Sequence, residues 1–80
     1  MELTVAMMKQ QNEGVIKSWK RDLPSELAYK KLELCLILKA TLNQLEDDMV
    51  LTNDQLSDIN RITNACTSEE ALKIGMNLIF

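Results

Sequence analysis

The amino-acid sequence predicts an all-α fold: a small bundle of about four helices around a central apolar helix, in one domain over residues 1–80. Apolar residues recur at helical spacing in four segments, and none alternates as a half-buried strand does. Only two glycines and one proline occur, so few positions favour hairpin turns. A chain this short buries only roughly 60% of its unfolded surface, which makes its own core marginal.

The first helix is predicted from about Glu2 to Trp19. Its apolar face consists of Val5, Met8, Val15, Ile16 and Trp19. Polar residues 10–12 interrupt that face, and Gly14 weakens the helix by roughly 1 kcal/mol relative to alanine. We therefore expect residues 1–12 to fray and the second half of the helix to be firmer.

The clearest break follows at residues 20–24, because proline disfavours helix in the residue before it and fits the first turn of a new one. A second helix is predicted from Pro24 to about Asp48. Residues 32–42 are apolar on nearly every side, so this helix should be central and buried all round. Three other short helices can hardly cover it, which predicts a protein partner or self-association, most simply as a homodimer.

Two capping signals predict the remaining helices, which should form a helical hairpin. Thr52 and Gln55 fit a capping box, and Thr67 and Glu70 repeat it. The inner face of the third helix is predicted to hold Leu56, Ile59 and Ile62 or Thr63. The chain ends in NLIF, and its apolar residues 78–80 are expected to dock against this chain or another one.

Residues 51–75 read LTNDQLSDINRITNACTSEEALKIG. This stretch resembles the helix-turn-helix of Cro-like and phage-repressor families, in which Q-L-A-x-x-x-G-I-(T/S) joins two helices; the matching residues are Gln55, Leu56, Ser57, Ile59, Ile62 and Thr63. The resemblance implies an alternative function, a nucleic-acid-binding transcriptional regulator with a helix-turn-helix at 52–79. The sequence departs from the motif at Arg61, where the turn usually needs glycine, and at Glu69 and Glu70, whose carboxylates would repel phosphates.

A second candidate for polyanion binding surrounds Trp19, where cations could hold phosphate while the indole stacks on a base. Its basic residues are Lys17, Lys20, Arg21, Lys30 and Lys31. The competing interpretation, which the sequence favours, is that Trp19 anchors the first helix to the core and the cations are solvated. The net charge of −3 also discourages non-specific nucleic-acid binding.

Catalysis and metal binding are not expected. The chain has no histidine, the commonest general base and metal ligand, and its serines lie where helix capping explains them. Cys35 and Cys66 have thirty residues between them, which is no zinc pattern; we predict two small buried hydrophobes, or a disulfide in an oxidising compartment. No cofactor and no small-molecule substrate are expected.

These observations predict a cytoplasmic, non-enzymatic protein–protein interaction module, such as a regulatory adaptor, anti-activator or chaperone. The longest apolar run, LCLIL, is too short to span a bilayer. Residues 17–31 carry five basic and two acidic residues, whereas residues 46–58 carry five acidic and none basic, which suits antiparallel self-association or a charged protein partner. The candidate partner-binding residues are Met7, Met8, Trp19, Leu36, Met76, Ile79 and Phe80.

Overall fold

A computed structural model describes residues 2–22 and 25–80 and confirms the all-α prediction. The four helices are α1 (Val5–Arg21), α2 (Glu26–Leu42), α3 (Asn53–Thr63) and α4 (Ser68–Ile79). Within the described residues, the only β-type pairing is an isolated antiparallel bridge between Thr4 and Val50. Pro24, the predicted start of the second helix, lies outside the described residues.

The central position of α2 is confirmed, because α2 packs against all three other helices. In the described chain, no Cα–Cα distance of 8 Å or less joins α1 to α3 or α4, so α2 is the only helix on which the backbone of α1 packs closely. Leu34, Leu38 and Leu42 of α2 lie in the core. The prediction that α2 is buried all round is wrong, since Leu36 keeps 44% of its surface exposed. Three helices cover only one side of α2.

The second helix ends at Leu42 instead of near Asp48. Acidic residues at a helix C-terminus oppose the helix dipole, and residues 46–48 lie in the following turn instead. Backbone groups of this connection bind the start of α1. The amide of Val5 donates to the Met49 carbonyl over 3.0 Å, and the amide of Leu51 donates to the Leu3 carbonyl over 2.9 Å. These backbone hydrogen bonds oppose fraying at the start of α1. The fraying of residues 1–12 stays a prediction.

The capping box of α3 is confirmed. The hydroxyl of Thr52 accepts from the Gln55 amide at 3.1 Å, and the Gln55 side chain accepts from the Thr52 amide at 2.8 Å. At α4 the box is half formed, because the Glu70 carboxylate accepts from the amide of Cys66 instead of that of Thr67. Helices α3 and α4 pack on each other as the predicted hairpin.

The two cysteines have different environments, and both are free. Cys35 is buried in α2, as predicted, whereas Cys66 is exposed, so the prediction of a buried side chain is wrong there. Ala65 takes the buried position in the connection between α3 and α4. Cys66 follows it, directly before the N-cap residue of α4, where the chain faces solvent.

Replacing Gly14 by alanine is expected to raise the free energy of unfolding by about 1 kcal/mol, because alanine is the better helix former. Gly14 is exposed in α1, and an added Cβ would meet no atom within 4 Å. Urea denaturation followed by circular dichroism measures the change. Gly75 provides the contrast, since an added Cβ would lie 2.7 Å from the Thr41 hydroxyl oxygen. A G14A variant that loses stability would contradict the placement of Gly14.

Candidate functional site

An apolar surface is exposed on the outer sides of α2 and α4. We call it the α2–α4 face and define it by Leu36, Ile37, Ala40, Leu72, Met76, Ile79 and Phe80. It contains a shallow cavity of about 320 Å³ between the two helices. Leu72, Met76 and Phe80 keep 55%, 59% and 96% of their surfaces exposed. Such side chains would lose contact with water if a second surface covered them.

The spacing of residues along α4 explains how this surface arises. Ala71, Ile74 and Leu78 point into the core, while Leu72 and Met76 lie one helical turn apart on the other side. The helix carries apolar residues on both faces, so packing on α2 covers only one of them. The outward face is therefore left without an intramolecular partner in the described chain.

A glycine sets the distance between α4 and α2. Gly75 is buried against Thr41, close enough that a Cβ on it would lie 2.7 Å from the threonine hydroxyl oxygen. That hydroxyl is itself held, because it donates to the Ile37 carbonyl over 2.9 Å. This close approach brings the exposed side chains of the two helices together into one surface.

The apolar surface continues along α2 and is bordered by charges of both signs. A second cavity of about 190 Å³ is lined by Tyr29, Leu32, Glu33 and Leu36. The nearby Lys39 ammonium binds the Glu13 carboxylate at 2.7 Å. This hydrogen bond, followed by the Coulombic attraction of the same lysine, holds the pKa of Glu13 below its usual value. Both charges are partly exposed and remain available to a partner.

A separate cavity of about 330 Å³ lies on the other side of α2. We call it the α1–α3 groove, since α1 and α3 form its walls and α2 its floor. Lys31 is the only charged side chain among the described residues that line it. The full lining is Met8, Gln11, Asn12, Val15, Trp19, Lys31, Cys35, Leu38, Ile59, Asn60, Thr63 and Asn64.

Two hydrogen bonds define the polar part of the groove. The buried Asn12 side-chain amide donates to the Cys35 carbonyl over 3.1 Å, which joins α1 to α2. The Lys31 ammonium donates to the Thr63 carbonyl of α3 over 3.5 Å. Burial raises the pKa of the Cys35 thiol, and the charge of Lys31 only partly opposes that effect. The thiol is therefore protonated near neutral pH and is a poor nucleophile.

The structure divides the candidate partner-binding residues between these two surfaces. Leu36 lies on the α2–α4 face, as do the three candidates from the end of α4, while Met8 and Trp19 line the groove. Met7 is exposed on α1, outside both surfaces. Sequence reasoning missed Leu72, although its spacing to Met76 could have identified it.

The five basic residues near Trp19 also have different surroundings. Lys31 alone lines the groove. Lys17 and Lys20 contribute to the lowered pKa of Glu13, after the larger effect of Lys39. The two others, Arg21 and Lys30, are exposed. Binding of a polyanion by the five basic residues together stays a prediction.

The geometry of the chain differs from that of a helix-turn-helix at the motif's turn position. Arg61, at the motif's turn position, lies inside α3 and binds Asp58 at 3.3 Å. The helix continues to Thr63, so the connection to α4 begins three residues after that position. Glu69 and Glu70 occupy the first turn of α4, the end that would approach nucleic acid in such a motif.

No family model, no curated protein and no solved structure matches this chain. Across residues 2–22 and 25–80, no three cysteine, aspartate or glutamate side chains lie together as a set of metal ligands. None of the helices in the described ranges has both the length and the apolar character needed to cross a bilayer.

Proposed function

We propose that this chain is a non-enzymatic helical protein–protein interaction module whose α2–α4 face binds a second copy of the chain. The observation that carries this proposal is the run of exposed apolar side chains on α4, above all Leu72 and Met76, beside Leu36 of α2. Contiguous exposed apolar patches mark interaction sites in soluble proteins. A regulatory adaptor, an anti-activator or a chaperone in the cytoplasm would act through such a surface.

The chemistry of the face suits an adaptable contact. Methionine is unbranched and polarisable, so Met76 can adjust to an irregular partner surface. Phe80 supplies a large exposed aromatic area, and aromatic side chains are enriched among the residues that dominate binding energy. The floor of Ile37 and Ala40 leaves a concave space for such a side chain.

A second copy is favoured by the charges that border the face. Glu33 lies beside Leu36 in the smaller cavity, while Lys39 forms its ion pair with Glu13 nearby. On α4, Lys73 lies 3.9 Å from Glu69. A border of one sign would repel a copy of itself, whereas a border with both signs can match opposite charges across a two-fold axis.

The test introduces charge into the centre of the face. Sedimentation equilibrium should give the wild-type chain a mass of twice 9.1 kDa, and the double variant L72E/M76E a mass of 9.1 kDa. Both substituted positions are exposed, so helical circular dichroism should be unchanged. Leu27→Glu is the matched control, because Leu27 is equally apolar and exposed but lies outside the face. A wild-type chain that stays monomeric at high concentration would refute self-association.

The alternative, a nucleic-acid-binding regulator, has less support from the surfaces. A base-reading helix should present cations, but the first turn of α4 presents Glu69 and Glu70. Arg61, on α3, is already paired with Asp58.

A further inference from the structure

We propose that the α1–α3 groove binds one small amphiphilic monoanion, a medium-chain carboxylate, with its carboxylate at Lys31 and its apolar chain over Leu38 and Ile59. This site lies across α2 from the α2–α4 face and does not depend on the proposed self-association. The proposal concerns a bound ligand and no reaction. Its volume of about 330 Å³ is in the range of sites for small ligands.

The charged and aromatic side chains of the groove, Lys31 and Trp19, lie toward one end. The bond from Asn12 to the Cys35 carbonyl fixes the register of α1 against α2. From that point, Trp19 lies about two turns along α1 and Lys31 about one turn back along α2, both toward the connection between these helices. Lys31 reaches the Thr63 carbonyl there, so the last turn of α3 closes the same end.

Apolar side chains from all three helices also line the groove. Met8 and Val15 of α1 face Leu38 of α2 and Ile59 of α3. The distance along α1 from Met8 to Trp19 is roughly 16 Å, which gives room for an extended hydrocarbon chain. An amphiphile would therefore bury its chain at one end while its head group remains at the end that holds Lys31.

The charge distribution selects an anionic head group. Among the described residues, no aspartate or glutamate lines the groove, so nothing there opposes the positive charge of Lys31. Its present bond to the Thr63 carbonyl, at 3.5 Å, is long for a hydrogen bond and can be exchanged for a shorter one to a carboxylate. The side-chain amide of Asn60, one turn before Thr63 on α3, can donate a further bond.

A polyanion fits this site less well than a single small anion. Lys31 is the one cation of the described lining, whereas phosphate backbones are held by several cations in a row. Lys17 and Lys20 act on Glu13 and do not line the groove. One cation beside the apolar side chains of an open groove matches one carboxylate with one apolar chain.

The test is a titration of the full chain with octanoate, below its micelle concentration, read by the fluorescence of Trp19. This is the only tryptophan of the chain, and it lines the groove. We expect a saturable change in emission. Lys31→Gln should weaken octanoate binding by about 10- to 100-fold, the usual effect of losing a hydrogen bond to a charged group. Lys30→Gln, at the neighbouring exposed lysine, should bind as the wild type does.

Further variants and probes separate the charge effect from a general loss of the site. The neutral analogue 1-octanol should bind equally to the wild type and to Lys31→Gln. Asn60→Asp, which places a negative charge at the exposed edge of the groove, should weaken octanoate binding without affecting octanol binding. Circular dichroism should show that each variant is folded.

Several outcomes would overturn the proposal. One is the absence of a saturable change in Trp19 emission, and another is equal octanoate affinity in the wild type and Lys31→Gln. Amide shifts that map octanoate to Leu72 and Met76 would move binding to the other face. Trp19 emission could instead respond to vesicles of anionic phospholipid or to a thymidine oligonucleotide and not to octanoate. The ligand would then be a membrane surface or a nucleic acid, and not a free small anion.

Discussion

Leu38→Ala is expected to lower the free energy of unfolding by about 2–5 kcal/mol, the usual range for a buried leucine in a packed core. Leu38 keeps only 2% of its surface exposed and contributes to the main core cluster. A chain of this length is typically stable by roughly 4–12 kcal/mol, so the loss is a large fraction of the total. Urea denaturation at one fixed protein concentration measures it.

Leu36→Ala is the matched control, since the same side chain is shortened two residues away on α2. Leu36 is nearly half exposed, so we expect a loss of less than about 1 kcal/mol in the monomer. The fixed concentration matters because self-association would add stability by mass action. If Leu36→Ala were the more damaging change under dissociating conditions, the face of α2 assigned to the core would be incorrect.

Leu78→Ala and Phe80→Ala are expected to have opposite consequences, although the residues are two positions apart. Leu78 is buried in the core cluster, and its truncation should cost at least about 2 kcal/mol of unfolding free energy. Phe80 is almost fully exposed, and its truncation should change monomer stability by less than about 0.5 kcal/mol. Chemical denaturation of dilute protein measures both changes.

The effect of Phe80→Ala on dimerisation completes the comparison with Leu78→Ala. On the proposed interface, Phe80→Ala removes an exposed aromatic side chain and should weaken dimerisation by about 10-fold, the effect of losing a strong interface contact. Sedimentation over a concentration series provides the dissociation constants. If Phe80→Ala destabilised the monomer as much as Leu78→Ala does, the aromatic ring would be part of the core instead. Unchanged dimerisation would remove Phe80 from the interface.

The helices could be predicted because their signals are local. Thr52 and Thr67 bind amides three residues later, as the capping pattern indicates, and Ile59 and Ile62 face inward at helical spacing. The end of α2 could not be predicted as well. Apolar residues continue to Leu45, while the actual stop depends on the turn that meets the start of α1. The contact between this turn and the start of α1 joins residues that are distant in sequence, so local signals do not predict it.

The surfaces were less predictable than the helices, because exposure depends on which helices meet. Leu36 and Met76 could be named from composition, but their common surface depends on the close approach of Gly75 to Thr41. The α1–α3 groove exists because α1 and α3 both pack on α2 while their backbones stay apart, with no Cα–Cα distance of 8 Å or less between them. The spacing of apolar residues within one helix does not show which other helices that helix will meet.

Helix α1 packs on one other helix only, and we expect it to open as a unit distinct from the other three helices. Helices α2, α3 and α4 contact one another, whereas α1 depends on α2 and on the backbone bonds of Val5 and Ala6 to the 43–52 connection. Breaking those contacts would release α1 while the other three helices stay associated. Sub-global opening should thus expose the amides of α1 to hydrogen exchange at a lower free energy than those of α2. The wall of the groove that holds Trp19 belongs to this less protected unit.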